Sequence, residues 1–165
     1  MYISLTTLGW LFTLGVLAHN TEEAIWLPAW TTRVRPLRFT LSSSVFRIAA
    51  VAQSLLLVIL ATAAFLSASE SPAAYAFAGY VFAMLVNVFA PHAFASIALR
   101  TYMPGTATAL LFNLPLGILF LHRALAERFV AWDTLVWAAP LVAFLVLLSI
   151  PVSFAIGRAC VAIRS

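Results

Sequence analysis

The 165 residues are 64% hydrophobic and only 8% charged, with a mean hydropathy of +1.07. A water-soluble domain carries roughly a quarter charged residues, so this composition excludes a globular protein that covers its own core and assigns the chain to lipid. The net charge of +4 comes from arginines spread over the ends of apolar segments, with no lysine, which excludes a nucleic-acid-binding patch.

Five apolar segments follow in chain order. The first, residues 3–26, carries the polar run His19-Asn20-Thr21-Glu22-Glu23 in its last turns, and Pro28 is expected to end it. It lacks a basic start and a small-residue cleavage site, so it reads as a retained span rather than a signal peptide. The second, 45–67, has Ser42, Ser43 and Ser44 available as N-caps. The third, 72–99, opens on Pro72 after Ser71, a favoured first-turn arrangement. Pro104-Gly105 makes a turn, and Thr106 can cap the fourth segment, 106–122. Asp133 can cap the fifth, 134–157. Trp26, Trp30, Trp132 and Trp137 fall near segment ends, where an aromatic belt would put them. The single cysteine, Cys160, excludes an intrachain disulfide.

The expected fold is therefore all-α: one transmembrane domain over residues 1–165, a bundle of five helices. Arg33, Arg35, Arg38 and Arg47 flank the first loop, Arg100 sits in the third, and Arg158 and Arg164 close the chain. Glu70, Arg123, Glu127, Arg128 and Asp133, in the even-numbered loops, carry no net positive charge. The positive-inside rule then puts the N-terminus outside and the C-terminus in the cytoplasm. The first-loop arginines read most simply as topology signals; holding an anionic lipid head group is the alternative.

An ionisable side chain within a span costs on the order of 3 kcal/mol on insertion scales and marks function by default. His19 shares a helix face with Glu22 and Glu23, three and four residues on. In the third segment Asn87 and His92 lie five residues apart, about 140° around an ideal helix. Pro91 between them cannot bond the Asn87 carbonyl, so a kink there would re-aim both. His92, Ser96 and Arg100 then follow at four-residue steps. Counted along the spans, His19 and His92 fall near the cytoplasmic side, with Gln53 of the second segment and Asn113 of the fourth approaching the same level. The bland readings are a helix end whose carboxylates reach water, a packed histidine, and interhelical links for Asn87, Gln53 and Asn113. His122, beside Arg123, reads as an interface residue.

His19-Asn-Thr-Glu22-Glu23 resembles the signature of the HXXEE membrane-protein family. The downstream run Asn87-Val-Phe-Ala-Pro-His92, with Arg100-Thr-Tyr102-Met-Pro104-Gly105-Thr-Ala-Thr108, is similar to its second block. The resemblance spans most of the chain and implies a small, multi-pass protein of a bacterial inner membrane, without an assigned activity.

Two histidines and a carboxylate suit one zinc or non-haem iron with open positions. His19, Glu23 and His92 are the expected ligands, with Glu22 as proton-transfer partner. Asn87, Gln53 and Asn113 would position a substrate, and Arg100 and Tyr102 would contact it. A di-iron centre wants four carboxylates, more than one copy supplies. The leading expectation is an intramembrane enzyme acting on a lipophilic small molecule in the presence of membrane lipid, without nucleic acid. The same residues free of metal would serve an acid/base isomerase or cyclase. A proton- or cation-coupled transporter or ligand-binding protein is the other class; it would need a homo-oligomer, and the chain has no inverted repeat.

Overall fold

The computed structural model describes residues 3–34 and 41–164, so Arg35 and Arg38 lie outside the described residues. Ser4 caps α1 (Leu5–Arg33), its hydroxyl accepting from Thr7 N. Ser42 caps α2 (Ser43–Leu66) and Ser71 caps α3 (Pro72–Asn87), with Pro72 in the first turn as expected. Beyond α3 the chain passes through a π-helical segment, Val88–Ala93, into α4 (Phe94–Ala98). After a loop come α5 (Thr106–Thr108), a second π segment, Ala109–Asn113, and α6 (Leu114–Ala126). The last rod is α7 (Trp132–Arg164).

These elements form five rods, an all-α arrangement consistent with a membrane bundle. Four of them, Ser43–Leu66, Pro72–Ala98, Thr106–Ala126 and Trp132–Ile163, are long and apolar enough to cross a bilayer. The fifth, α1, has 29 residues and carries the acidic pair of the signature.

Several local expectations are corrected. Pro28 does not end α1; it lies inside the helix. A proline there cannot bond the carbonyl four residues back, that of Ala24. Arg47 of α2 donates its Nε–H to that carbonyl at 3.4 Å, so the orphaned acceptor is met and the helix runs on to Arg33. His19 is consequently the middle residue of α1 rather than one near its end. Gly105, not Thr106, is the N-cap of α5. Asp133 lies in the first turn of α7, not before it. Arg100 is off the helix altogether, since α4 ends at Ala98 and Arg100 has φ +50.

One half of the bundle is solid. Phe77 packs edge-on against Phe65 and Phe120, with centroids 5.3 and 5.1 Å apart, and Phe12 and Phe129 complete the cluster. Such pairs add about 0.5–1.5 kcal/mol each beyond the area they bury. The arginine-rich half is hollow. There α1, α2, α3 and α7 enclose a cavity of about 370 Å³, walled largely by apolar side chains such as Phe46, Met84 and Val146.

Candidate metal centre

The polar signature residues gather at one end of this cavity. On α1, His19 and Glu23 are one turn apart, and His19 Nε2 lies 3.9 Å from Glu23 Oε1. His92 arrives from the break after α3. Ala90, just before Pro91, leaves the helical region (φ −133, ψ 114), the extended state that a residue before proline prefers. The break does what the spacing alone forbids: Asn87 and His92 both face α1. His92 Nε2 lies 3.3 Å from Glu23 Oε1, and the two imidazoles meet edge-on with centroids 4.7 Å apart. One ligand atom from each of His19, Glu23 and His92 can be chosen so that all lie within 4.8 Å of one another.

The hydrogen bonds around His19 fix its tautomer. Nδ1 is 3.0 Å from the Gly105 carbonyl, which can only accept, so Nδ1 carries the proton and Nε2 presents a lone pair to Glu23. Thr108 Oγ1 is a second neighbour of Nδ1 at 3.3 Å. Asn87 Nδ2 donates to Nε2 at 3.3 Å. A backbone carbonyl that orients an imidazole and sharpens its other nitrogen is the usual outer support of a metal-ligating histidine.

His92 is 1% exposed, and among the described residues neither of its ring nitrogens has a hydrogen-bond partner. Leaving a buried polar group unmet costs about 1–3 kcal/mol. The nearby Glu23 oxygen is close enough but misaligned for an N–H donor. Ligands held tetrahedrally at about 2.0–2.1 Å lie roughly 3.3 Å from each other. The His92–Glu23 separation matches that edge, and the His19–Glu23 separation exceeds it by a side-chain adjustment. The residues therefore fit a divalent ion: a buried His/Glu/His group with one wall, Glu23, open to the cavity.

Glu22 points elsewhere. It accepts from the Tyr102 hydroxyl and, at 2.7 Å, from Thr108 Oγ1. These bonds tie the segment 102–108 to α1 and hold the Gly105 carbonyl against His19. Ser96, one turn beyond His92, strengthens the tie: its hydroxyl accepts from Met103 N at 3.1 Å and meets Thr106 Oγ1 at 3.0 Å. Partial burial and donation to Glu22 both raise the Tyr102 hydroxyl above the ordinary tyrosine range. A raised value means the contribution is fully present below pH about 10 and is lost as pH climbs through the folded value. Tyr102→Phe is expected to remove that alkaline loss of thermal stability, read as a flatter melting temperature against pH; an unchanged alkaline fall would break the assignment.

The remaining candidates separate. Gln53 lines the cavity, but its amide is taken by Ser149 and Ser153 of α7 at 2.8 and 2.9 Å. Asn113 is fully buried, with both amide atoms unpartnered among the described residues; its oxygen would lie 3.4 Å from a Cβ at Gly15, one turn before His19, and it is outside the cavity wall. Arg100 is exposed on the loop and also outside the wall. His122 is exposed. Two contributors stand in the second motif block but receive no site role from the sequence. Thr108 bridges Glu22 to His19, and Gly105 touches both imidazoles: a Cβ there would stand 2.7 Å from His92 Cε1 and 2.8 Å from His19 Cε1. Pro104-Gly105 signals a turn, but nothing local tells what the turn rests on.

The chain belongs to the HXXEE family: the family described as "Protein of unknown function with HXXEE motif" matches residues 10–120. That span holds both motif blocks, the α1 cluster and the stretch from Asn87 to Thr108. A bacterial relative, "Uncharacterized protein YrkK" of Bacillus subtilis (strain 168), is 31% identical over 147 residues, covering 88% of this chain and 92% of the relative. No solved structure gives a significant match.

Proposed function

We propose that the protein is a multi-pass enzyme of the bacterial inner membrane that acts on a lipophilic small molecule held in the cavity. His19, Glu23 and His92 would hold one divalent ion, zinc or iron. The observation that carries this reading is the pair of buried, unpartnered His92 nitrogens beside the Glu23 carboxylate. When bound, such an ion supplies Lewis acidity toward a substrate oxygen. The chain's own residues do the rest. Gly105 holds the Nδ1 proton of His19, Glu22 and Thr108 keep Gly105 in place, Asn87 offers its amide at the polar end of the cavity, and the apolar walls keep water away.

Protein purified in detergent is expected to carry about one zinc or iron per chain, and His19→Ala almost none, by elemental analysis. A wild-type chain that neither retains nor takes up either ion on titration overturns the metal centre. The Asn87–His19 hydrogen bond favours the metal-free version as the second reading, because that amide already satisfies Nε2 without an ion. In that version His19, Glu23 and His92 do acid/base work on the same substrate.

The arginine-rich end is proposed to face the cytoplasm. A fluorescent-protein fusion at the C-terminus should then fluoresce and an alkaline phosphatase fusion should be inactive; the reverse pattern inverts the bundle.

A further inference from the structure

Where the cavity meets the outside restricts what can enter it. Most of its wall is buried or half-buried, and the exposed wall residues fall in two places: Val86, Ala90 and Pro91 on the α3 side, Leu147 and Ile150 on α7. Lower down these two rods touch closely. A Cβ at Gly79 would stand 2.5 Å from Val142 Cβ, so only the missing side chain lets them approach. Further along, the rod that α3 begins breaks at Ala90, and around that level Val86, Ala90 and Pro91 of the wall are exposed. Among the described residues, every exposed wall position is apolar and lies on one of these two rods.

The interior is as selective as the rim. Among the described residues, no arginine lines it. Arg47 is turned to the Ala24 carbonyl. A phosphate monoester brought inside carries close to two negative charges, more than the one positive charge a divalent ion would keep beside Glu23, and no arginine of the wall meets the remainder, at an effective cost of several kcal/mol. The Gln53 amide is already bonded to Ser149 and Ser153, and that of Asn20 to Ser54, so much of the polar lining is spent within the protein. The Asn87 amide gives one N–H to His19 Nε2; its carbonyl oxygen still faces a ligand, with Glu23 beside it and Tyr80 two turns earlier on α3.

We propose that the cavity takes an uncharged amphiphile with a single small oxygen-bearing head, such as a long-chain alcohol or epoxide, and takes it laterally from the lipid between α3 and α7. The inference rests on the enzyme reading above and names the class of its substrate. The head lies at Asn87 and Glu23, and the chain follows the apolar wall toward the mouth. A carboxylate is the nearest competitor, because Glu23 neutralises only one charge of a divalent ion.

Photolabelling of the full chain in liposomes tests this, using diazirine-bearing long-chain alcohol, carboxylic acid and phosphate probes of equal length. The alcohol is expected to label peptides of α3 and α7, at least about tenfold more than the acid, and the phosphate not at all. Ala143→Trp, which fills the cavity, and Leu147→Trp, which crowds the exposed rim, should each lower alcohol labelling severalfold while metal content holds. Equal labelling by phosphate and alcohol, or labelling indifferent to both variants, overturns the proposal. Wild-type protein that labels as expected yet binds no metal overturns the metal centre alone and leaves the substrate class standing.

Discussion

Gly105→Ala is expected to empty the His19/Glu23/His92 group of metal without altering a single ligand. Gly105 has φ +93, a left-handed conformation that costs a residue with a Cβ roughly 1–2 kcal/mol. The added carbon would also stand 2.7 Å from His92 Cε1, 2.8 Å from His19 Cε1 and 3.1 Å from Glu23 Cγ. All three contacts are with the ligand side chains themselves, and two of the three are rings buried too deeply to swing aside. Either the imidazoles separate or the turn backs off and takes the Gly105 carbonyl away from His19 Nδ1. Both outcomes spoil a ligand set that works only within a fraction of an ångström. Loss of outer support alone costs about 10–100-fold in metal affinity, so a fall of about 100-fold or more is expected in a chelator-competition titration. Wild-type affinity in this variant would mean that the ion does not sit between these rings.

That glycine also marks how far the sequence could be read. The helices, the capping serines and the polar cluster on α1 were legible, because each depends on neighbours within one or two turns. The meeting of His92 with Glu23 was legible only conditionally: spacing put Asn87 and His92 on different faces, and the proline between them promised a break whose direction no local rule supplies. Pro28 misled for the opposite reason. Its helix-ending tendency is local, whereas its cure, the Arg47 guanidinium on the Ala24 carbonyl, comes from another helix. Arg100 was placed by extending a four-residue step past Ala98, where the helix has already ended. Glu22 and Glu23 look equivalent in sequence; only the loop that packs against one and the cavity that opens beside the other tell them apart.

Their separation yields the other large effect. Glu23→Gln is expected to lower metal affinity by more than about 100-fold, beyond the loss of outer support, and to leave the melting temperature of the metal-free protein nearly unchanged. A carboxamide keeps the shape of Glu23 but removes the one anionic ligand, and Glu23 has no tie to the loop that its loss would release. Glu22→Gln should behave differently. Glu22 is buried, and its two oxygens serve Tyr102 and Thr108; an amide can replace one acceptor but turns a donor toward the other. The segment 102–108 then loosens, the metal-free protein loses about 1–3 kcal/mol, the penalty for a buried polar group left badly met, and affinity falls only about 10-fold, through His19. Thermal melts in detergent with and without metal, beside chelator titrations, measure both quantities for each variant. If Glu22→Gln abolished binding at unchanged stability, both carboxylates would act on the ion directly, and the hydrogen bonds from Tyr102 and Thr108 would have to be given up when it binds.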